Sequence, residues 1–216
     1  MNPHLELLLS RAFDGALAPE HLADLRASGL TDDTIATQFI RSVPPAMISQ
    51  LLGFEMTGIR SALLFPFRSP AGGFMNHVRL KIFPALTDRD GHTIKYLQPR
   101  GTAPRLYFIG SCLGTVLDGD DPLWVVEGEK KAAAMAQLGL AAVGIAGVEG
   151  WHQPGTASLV GDFDAILLTG RVVELLPDAD YRSNANVERA IRQCARALRD
   201  RGAKPGVRLL PQELPR

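Results

Sequence analysis

The chain has 216 residues, of which 46% are hydrophobic and 21% are charged, a composition typical of a globular protein with a sizeable core. Basic and acidic residues number 23 each, so the formal net charge of zero argues neither for nor against a nucleic-acid partner. No apolar run has the length of a transmembrane helix, no signal-peptide pattern is present, and two cysteines are too few for a zinc ribbon. These features predict a cytoplasmic protein without a membrane partner.

The first part of the chain, residues 1–55, is predicted to be helical. A helix is expected in PEHLADLRASG, Thr31 is a plausible N-cap for TDDTIATQFIRSV, and Pro45 begins a third helix that ends at Gly53. Three short helices are compatible with a DNA-binding helix-turn-helix or with a helical cap packed on a sheet. We favour the cap, because a recognition helix would present several cations and TDDTIATQFIRSV offers Arg41 alone.

Residues 56–117 are predicted to form a basic, mainly β subdomain. SALLFPF is a short apolar run and HVRLKIF alternates, and both are expected to be strands. TIKYLQP and RLYFIG are predicted as further strands, and TDRDGHT has the composition of a turn. Residues 58–108 contain eight Lys or Arg and two Asp, a local balance of 8 − 2 = +6. Arg79 and Lys81 alternate with apolar residues and are expected on one sheet face. The surplus predicts a polyanionic partner, although a solvated cationic strand face has the same pattern.

A strand–helix–strand unit follows in the third part of the chain, residues 118–216. The apolar run LWVVE ends at Glu127, an Ala-rich helix is predicted from Glu129 to Leu138, and AAVGI forms the next strand. This is about the length of a parallel βαβ crossover. Glu127 is therefore expected at the carboxyl end of a central strand, where open α/β sheets bind their ligands.

A second acidic strand end lies further along the chain, where RVVELL is followed by Pro177 and by the pair Asp178 and Asp180. Residues two apart in an extended chain point the same way, so both aspartates can face one site. Three carboxylates from two neighbouring strand ends suit a hard cation such as Mg²⁺ or Mn²⁺. Such ions promote phosphoryl transfer by neutralising phosphate charge and orienting the reacting oxygens.

Two further stretches have less specific patterns. Trp151, after the glycine-rich GIAGVEG, is either a base-stacking residue or a core tryptophan. ANVERAIRQCARALRD has its apolar residues at helical spacing, which places Cys194 in the core, and VRLLP is predicted to be the last strand. No GxxxxGK[ST] motif is present, so a motor ATPase is not indicated.

The two acidic stretches, VVEGEKKA and PDAD, resemble the TOPRIM domain that bacterial-type primases, topoisomerases and some nucleases share. A wider series of blocks is closer still to the TOPRIM-like domain of phage and mobile-element primase or helicase proteins. These blocks are SALLFPF, VRLK, KYLQPRG, RLYF, VVEGEKKA, GIAGVEGW and TGRVVELLPDAD, and the whole match runs from about residue 25 to residue 210. The resemblance implies an α/β fold: a TOPRIM (Rossmann-like), mostly parallel sheet flanked by helices, preceded by the helical segment and the basic β subdomain.

The resemblance also implies an activity, metal-dependent nucleotidyl transfer on a single-stranded DNA template during replication of a phage or mobile element. In this family pattern Glu127, Asp178 and Asp180 are the catalytic residues and hold Mg²⁺ or Mn²⁺. Nucleoside triphosphates are the expected second substrate, and a helicase or another replication subunit is an expected partner.

The resemblance further assigns phosphate contacts to four cations of the β subdomain, namely Arg79, Lys81, Lys95 and Arg100. Lys130 and Lys131 oppose the helix dipole at their positions, which indicates a nearby anion or pairing with Glu127 and Glu129. Glu129 itself is most simply a favourable charge in the first helical turn.

Two alternatives to the primase prediction remain on the same residues. One is a non-catalytic nucleic-acid-binding module of a replication protein, and the other is a TOPRIM nuclease in which the metal activates water. Pro177 is unusual for the family at the position before Asp178, and it bears on the geometry of the acidic site.

Overall fold

The structure, a computed structural model, describes Ala12 and residues 15–209, apart from the side chain of Asp180. The chain divides into two compact units. The N-terminal unit comprises Met1–Ser69 and Gly73–Thr102, and the C-terminal unit comprises Pro70–Gly72 and Ala103–Arg216. The helices predicted within residues 1–55 therefore belong to the same unit as the first sheet.

The N-terminal unit contains an antiparallel sheet in the order β1-β2-β3-β4. Its strands are β1 (Arg41–Val43), β2 (Ser61–Arg68), β3 (Phe74–Thr87) and β4 (Thr93–Leu97). Its helices are α1 (Pro19–Ala27), α2 (Asp32–Thr37) and α3 (Pro45–Leu52). Strand β2 is buried on both faces, which explains why its sequence is a continuous apolar run instead of an alternating one.

Several local predictions for this unit are confirmed. The hydroxyl of Thr31 accepts a hydrogen bond from the Thr34 backbone amide (3.2 Å) and caps α2, and α3 begins at Pro45 and ends before a left-handed Gly53. The prediction that TDDTIATQFIRSV is helical throughout is wrong. Helix α2 ends at Thr37, and the segment that follows pairs with β2 as strand β1.

The C-terminal unit contains a mixed sheet in the order β5-β7-β6-β8-β9. Its strands are β5 (Tyr107–Phe108), β6 (Leu123–Glu127), β7 (Ala141–Ile145), β8 (Val172–Leu176) and β9 (Lys204–Val207). Its α-helices are α4 (Leu113–Asp118), α5 (Glu129–Gln137) and α6 (Ala185–Asp200). Short 3-10 helices cover Gly110–Cys112, Gly161–Ala165 and Ala179–Arg182. Strands β6 to β9 are parallel to their neighbours, whereas β5 runs antiparallel to β7.

An α/β architecture is therefore confirmed, with a sheet that is partly antiparallel. The predicted βαβ unit forms as β6-α5-β7, and Cys194 is fully buried in α6, where burial raises the pKa of its thiol to about 12. The last described strand lies three residues earlier than VRLLP, because Lys204–Val207 pairs with β8. Across residues 15–209, the helices are too short or too polar to cross a membrane.

Candidate functional site

Two acidic strand ends lie side by side at the carboxyl edge of the parallel strands. Strands β6 and β8 are direct neighbours, and their register runs to the pair Val126 and Leu176. Glu127 is the next residue on one strand, and Asp178 lies two residues after Leu176 on the other. Glu127 is half-buried and Asp178 is exposed. The fold thus places the two predicted acids at adjacent strand ends.

The third predicted acid, Asp180, has its backbone in the 3-10 helix Ala179–Arg182 that directly follows β8. Its side chain lies outside the described residues. The structure therefore places two of the three predicted carboxylates, those of Glu127 and Asp178, and the role of Asp180 stays a prediction.

Two glycines allow the turn that carries Glu127. Gly128 has a φ of +89°, which disfavours any side chain, and its amide donates to the carbonyl of Ile145 at the end of β7 (2.9 Å). A Cβ on Gly144 would lie 3.1 Å from the carbonyl oxygen of Gly128 and 3.3 Å from the Cβ of Ala132. Glycine is therefore favoured at position 128 by the backbone conformation and at position 144 by the close approach of the start of α5 to β7.

A lysine of helix α5 contacts the acidic strand end. The Nζ of Lys131 donates to Oδ1 of Asp178, and the two side chains are 23% and 54% exposed. The sequence predicted an anionic partner near Lys131, and in the structure Asp178 of the same chain is such a partner. Lys130, on the same helical turn, is half-buried. The site combines two carboxylates with at least one ammonium group at the start of α5.

Glu129 is more deeply buried than the sequence predicted. The residue is 2% exposed, although Glu127, two positions earlier, is half-buried. We predicted a favourable charge in the first helical turn, and that position is confirmed. Its burial was not predicted, because an acidic residue at a helix start is ordinary on a solvent-exposed helix. Glu129 is thus a second acidic group, and a buried one, in the segment that carries Glu127.

The four predicted phosphate-contacting cations all belong to the N-terminal unit. The guanidinium of Arg79 lies over the ring of Tyr96 (4.9 Å), and that of Arg100 lies over Phe54 (5.4 Å). Lys95 is exposed on the edge strand β4. Lys81 differs from the others, because its Nζ donates to Oδ1 of Asp24 at 2.5 Å and its side chain is 14% exposed.

Arg105 pairs with a buried aspartate that sequence inspection did not single out. Its Nε donates to Oδ2 of Asp162 (2.8 Å) and its Nη2 donates to Oδ1 (2.5 Å), while Leu106 N also donates to Oδ2 (2.8 Å). The hydrogen bond that Arg105 donates to Asp162 raises the pKa of Arg105. The pair lines a cavity of about 530 Å³ whose walls include Pro104 and Pro154. Both partners are 57 residues apart in sequence, so no local signal linked them.

A second unpredicted cation, Arg171, is 5% exposed at the start of β8. It donates to the carbonyls of Asp121 (2.9 Å), Val116 (2.5 Å) and Thr115 (2.7 Å), so it satisfies the carboxyl end of helix α4. Burial lowers its pKa, and the charges of Asp121, Asp120 and Asp118 oppose that effect. These aspartates belong to the segment LDGDD at the end of α4, and their charges favour the protonated form of a structural arginine.

Two other sequence features are not part of the acidic site. Trp151 is 1% exposed, so the core alternative is correct and base stacking on it is excluded. Asp88, Asp90 and His92 bring their ligand atoms within 4.8 Å of one another in the turn before β4. Oδ1 of Asp88 accepts from the backbone amides of Asp90 (2.9 Å) and His92 (2.8 Å), so these side chains build the predicted turn.

Comparisons with known proteins agree with this architecture. A family profile described as "Domain of unknown function (DUF3854)" matches residues 114–215. A comparison with curated proteins gives no match. The chain is similar to the Aquifex aeolicus primase (zinc-binding and RNA polymerase domains), with 14% identity and a TM-score of 0.66 over 98% of this chain and 56% of that one. It is also similar to the DnaG catalytic core, with 21% identity and a TM-score of 0.61 over 97% of this chain and 73% of that one.

These similarities show a fold of the primase catalytic-core type. The expectation of a primase-like α/β fold is thus confirmed at the level of architecture. This chain spans a little over half the length of the Aquifex protein chain that it matches.

Proposed function

We propose that residues 118–216 form a primase-type TOPRIM domain. It would perform metal-dependent nucleotidyl transfer on single-stranded DNA, in the replication of a phage or mobile element. The observation that supports this most directly is the adjacency of β6 and β8, whose carboxyl ends present Glu127 and Asp178. The similarity of nearly the whole chain to primase catalytic cores agrees with it. Residues 1–55 and 56–117 would then be a helical segment and a basic β subdomain that accompany the catalytic domain.

The acidic strand ends have the donor chemistry for a hard divalent cation. Glu127 and Asp178 supply carboxylate oxygens, and we assign Asp180 to the same set. Mg²⁺ or Mn²⁺ held there would neutralise the charge of the nucleotide phosphates. The protein itself fixes the end of β6 through Gly128 and orients Asp178 through Lys131. Lys131 is then placed to donate to a phosphate oxygen when Asp178 binds a cation.

The basic residues of the N-terminal unit would hold the phosphates of template or nucleotide. Arg79 and Arg100 lie over aromatic rings and Lys95 is exposed, and all three bring positive charge to the antiparallel sheet and its edge. Lys81 is the weakest of the four candidates, because Asp24 already neutralises its charge.

Primer synthesis tests the proposal directly. Wild-type protein is incubated with a single-stranded DNA template, nucleoside triphosphates and Mg²⁺ or Mn²⁺, and is compared with Glu127→Gln and Asp178→Asn. We expect each substitution to reduce the product at least ~100-fold, because each removes a carboxylate ligand of the cation that would neutralise the phosphate charge. Glu149→Gln is the matched control, since Glu149 is an exposed acid of the same unit that pairs with His152. Undiminished synthesis by Glu127→Gln would contradict the assignment of these residues.

A second candidate function, a non-catalytic nucleic-acid-binding module, is favoured by the ion pair of Lys131 with Asp178. The ammonium group of Lys131 neutralises part of the negative charge of Asp178, which a divalent cation would otherwise neutralise. A Mn²⁺ titration followed by electron paramagnetic resonance separates the two functions. The catalytic proposal expects Mn²⁺ binding that Asp178→Asn weakens and that Lys131→Ala strengthens.

The non-catalytic alternative expects no Mn²⁺ binding, together with DNA binding that is indifferent to a chelator. The same protein samples are incubated with plasmid DNA, because metal-dependent cleavage would instead indicate a TOPRIM nuclease.

A further inference from the structure

Four helices of the described chain end with the same pair of backbone hydrogen bonds, and one of them lacks the expected glycine. After α1, α5 and α6, an amide donates back five residues, from Leu30 to Leu25, from Leu140 to Met135 and from Ala203 to Leu198. The residue before each donor is a left-handed glycine, namely Gly29, Gly139 or Gly202. This is the Schellman arrangement, in which glycine avoids the steric penalty of a positive φ.

Helix α2 ends in the same way, with Ile40 N donating to Ile35 O (3.1 Å) and Phe39 N donating to Ala36 O (3.0 Å). The left-handed position is occupied by Phe39, at a φ of +54°, and across the described residues every other positive φ belongs to a glycine. A bulky aromatic residue in this conformation is strained. The three other helices have glycine at this position, which is not strained there. Position 39 has phenylalanine instead, although glycine would fit the same backbone.

The strained backbone holds an aromatic ring at the surface. Phe39 is 36% exposed, and its ring meets that of Phe74 edge-to-face at a centroid distance of 5.2 Å. A guanidinium lies over each ring, that of Arg41 over Phe39 (5.7 Å) and that of Arg68 over Phe74 (4.3 Å). Arg68 also donates to the carbonyl of Thr37 at the end of α2 (2.8 Å). We call these four residues, Phe39, Arg41, Arg68 and Phe74, the Phe39 cluster.

Packing alone does not account for this arrangement. An aromatic residue kept for core stability would be buried, as Phe65 and Phe67 are in the same unit at 0% and 1% exposure. Phe39 combines backbone strain with an exposed ring, and that combination is typical of a residue that serves binding. The acids of α2, Asp32 and Asp33, lie at the opposite end of the helix. The cluster itself carries two positive charges and no negative one.

We propose that the Phe39 cluster is a base-stacking site for single-stranded nucleic acid. Exposed aromatic rings and guanidinium planes stack on bases whatever the sequence, and the same guanidinium groups attract the neighbouring phosphates. Bases of a duplex are already stacked and paired, so a stacking platform selects single strands. This inference deepens the proposed function, from which it takes single-stranded DNA as the ligand. It is separate from the phosphate contacts assigned to Arg79, Lys95 and Arg100.

Substitution of Phe39 by glycine separates a binding role from a structural role. Phe39→Gly removes the ring and supplies the residue that the Schellman arrangement prefers, so its urea midpoint is expected to equal or exceed that of wild type. Its affinity for a fluorescein-labelled oligothymidylate of about 12 nucleotides is expected to fall roughly tenfold in fluorescence anisotropy, the loss of one stacked base. Phe39→Asn is a second variant, because asparagine also tolerates a positive φ. Leu138→Ala removes another exposed apolar side chain, 77% exposed, and is the control.

An abasic oligonucleotide with the same number of phosphates completes the test. Wild type is expected to bind it about as weakly as Phe39→Gly binds the thymidylate, and Phe39→Gly is expected to bind both oligonucleotides alike. Any of three results would contradict the stacking site. Phe39→Gly could bind the thymidylate as tightly as wild type does. The substitution could instead weaken binding of the abasic strand, or of duplex DNA, by the same factor as binding of the thymidylate. Loss of primer synthesis with these binding results intact would instead reject the proposed catalysis and leave the stacking site in place.

Discussion

The two units use their cations in different ways. Among the described residues of the N-terminal unit, five cations lie over aromatic rings: Arg41 on Phe39, Arg68 on Phe74, Arg79 on Tyr96, Lys81 on Phe83 and Arg100 on Phe54. The usual frequency of such contacts is roughly one in 70–80 residues, so this concentration within one unit is high. In the C-terminal unit, cations are held by carboxylates or backbone carbonyls, as Arg105, Arg171 and Arg208 show.

The difference separates available charge from structural charge. A guanidinium that lies over a ring interacts through its flat face, and its N–H groups point outward from its edge. A guanidinium that donates to three carbonyls, as that of Arg171 does, has little capacity left for a ligand. We therefore expect substitutions in the C-terminal unit to lower stability and substitutions in the N-terminal unit to lower nucleic-acid affinity. Four predictions test this comparison.

The largest effect is expected at Arg171. Arg171→Met keeps an apolar stem of similar length but leaves three carbonyls without their donor, so the free energy of unfolding should fall by about 3 kcal/mol. Urea denaturation followed by circular dichroism measures this change. Arg196→Met, on the exposed side of α6, is the control and should stay within about 0.5 kcal/mol of wild type. Equal values for the two variants would show that Arg171 is not structural.

A second prediction uses two aspartates of one 3-10 helix, Gly161–Ala165. Asp162 and Asp164 each pair with an arginine, but their side chains are 4% and 68% exposed. Asp162→Ala should lower the free energy of unfolding by about 2 kcal/mol, because it leaves Leu106 N and Arg105 without their acceptor. Asp164→Ala should change it by less than about 0.5 kcal/mol. Comparable losses would mean that burial does not distinguish the two pairs.

The third prediction concerns His21, a buried histidine that stabilises the N-terminal unit through hydrogen bonds. His21 is fully buried, with Nδ1 2.7 Å from Ser42 Oγ and Nε2 3.0 Å from Ser61 Oγ. Burial lowers its pKa below the usual 6.5, the charges of Glu20 and Asp24 oppose this, and that of Lys81 adds to it. The unfolded chain therefore binds a proton before the folded one as pH falls. The stability contributed by neutral His21 is fully present above pH 6.5 and is lost below it.

Urea titrations at several pH values between neutral and acidic check this effect. The extra loss of wild-type stability relative to His21→Asn should not exceed about 1.4 kcal/mol per pH unit, the limit for one proton. His92→Asn is the control, because the side chain of His92 is 79% exposed. Parallel pH profiles for wild type and His21→Asn would contradict the prediction.

The smallest effect on stability is expected at Arg79. Arg79→Ala should change the free energy of unfolding by less than about 1 kcal/mol, since it removes one cation–ring contact. It should nevertheless weaken binding of single-stranded DNA and reduce the slope of log K against log salt by about 0.7. Lys81→Ala should leave that slope unchanged, because Lys81 is already paired with Asp24. A reduced slope in Lys81→Ala would show that this lysine also contacts phosphate.

Local sequence patterns were sufficient for the regular elements that form the acidic edge. The apolar run before Glu127, the Ala-rich helix and the run before Pro177 predicted β6, α5 and β8 closely, because periodicity and capping act over a few residues. The cap at Thr31 was predictable for the same reason. Placement of Glu127 and Asp178 at strand ends followed from these runs, whereas the βαβ pattern links β6 only to β7, and the sheet order decides that β8 is the other neighbour of β6.

Tertiary structure alone decided which charged groups meet. Lys131 and Asp178 are 47 residues apart, and Arg105 and Asp162 are 57 residues apart. The sequence around each of these residues looks like that around a charged residue exposed to solvent. Strand β1 forms within a predicted helix because β2 supplies its hydrogen bonds, and Phe39 takes a conformation that its own sequence disfavours. In each case a partner distant along the chain outweighs the local preference, since pairing and burial depend on neighbours in space rather than in sequence.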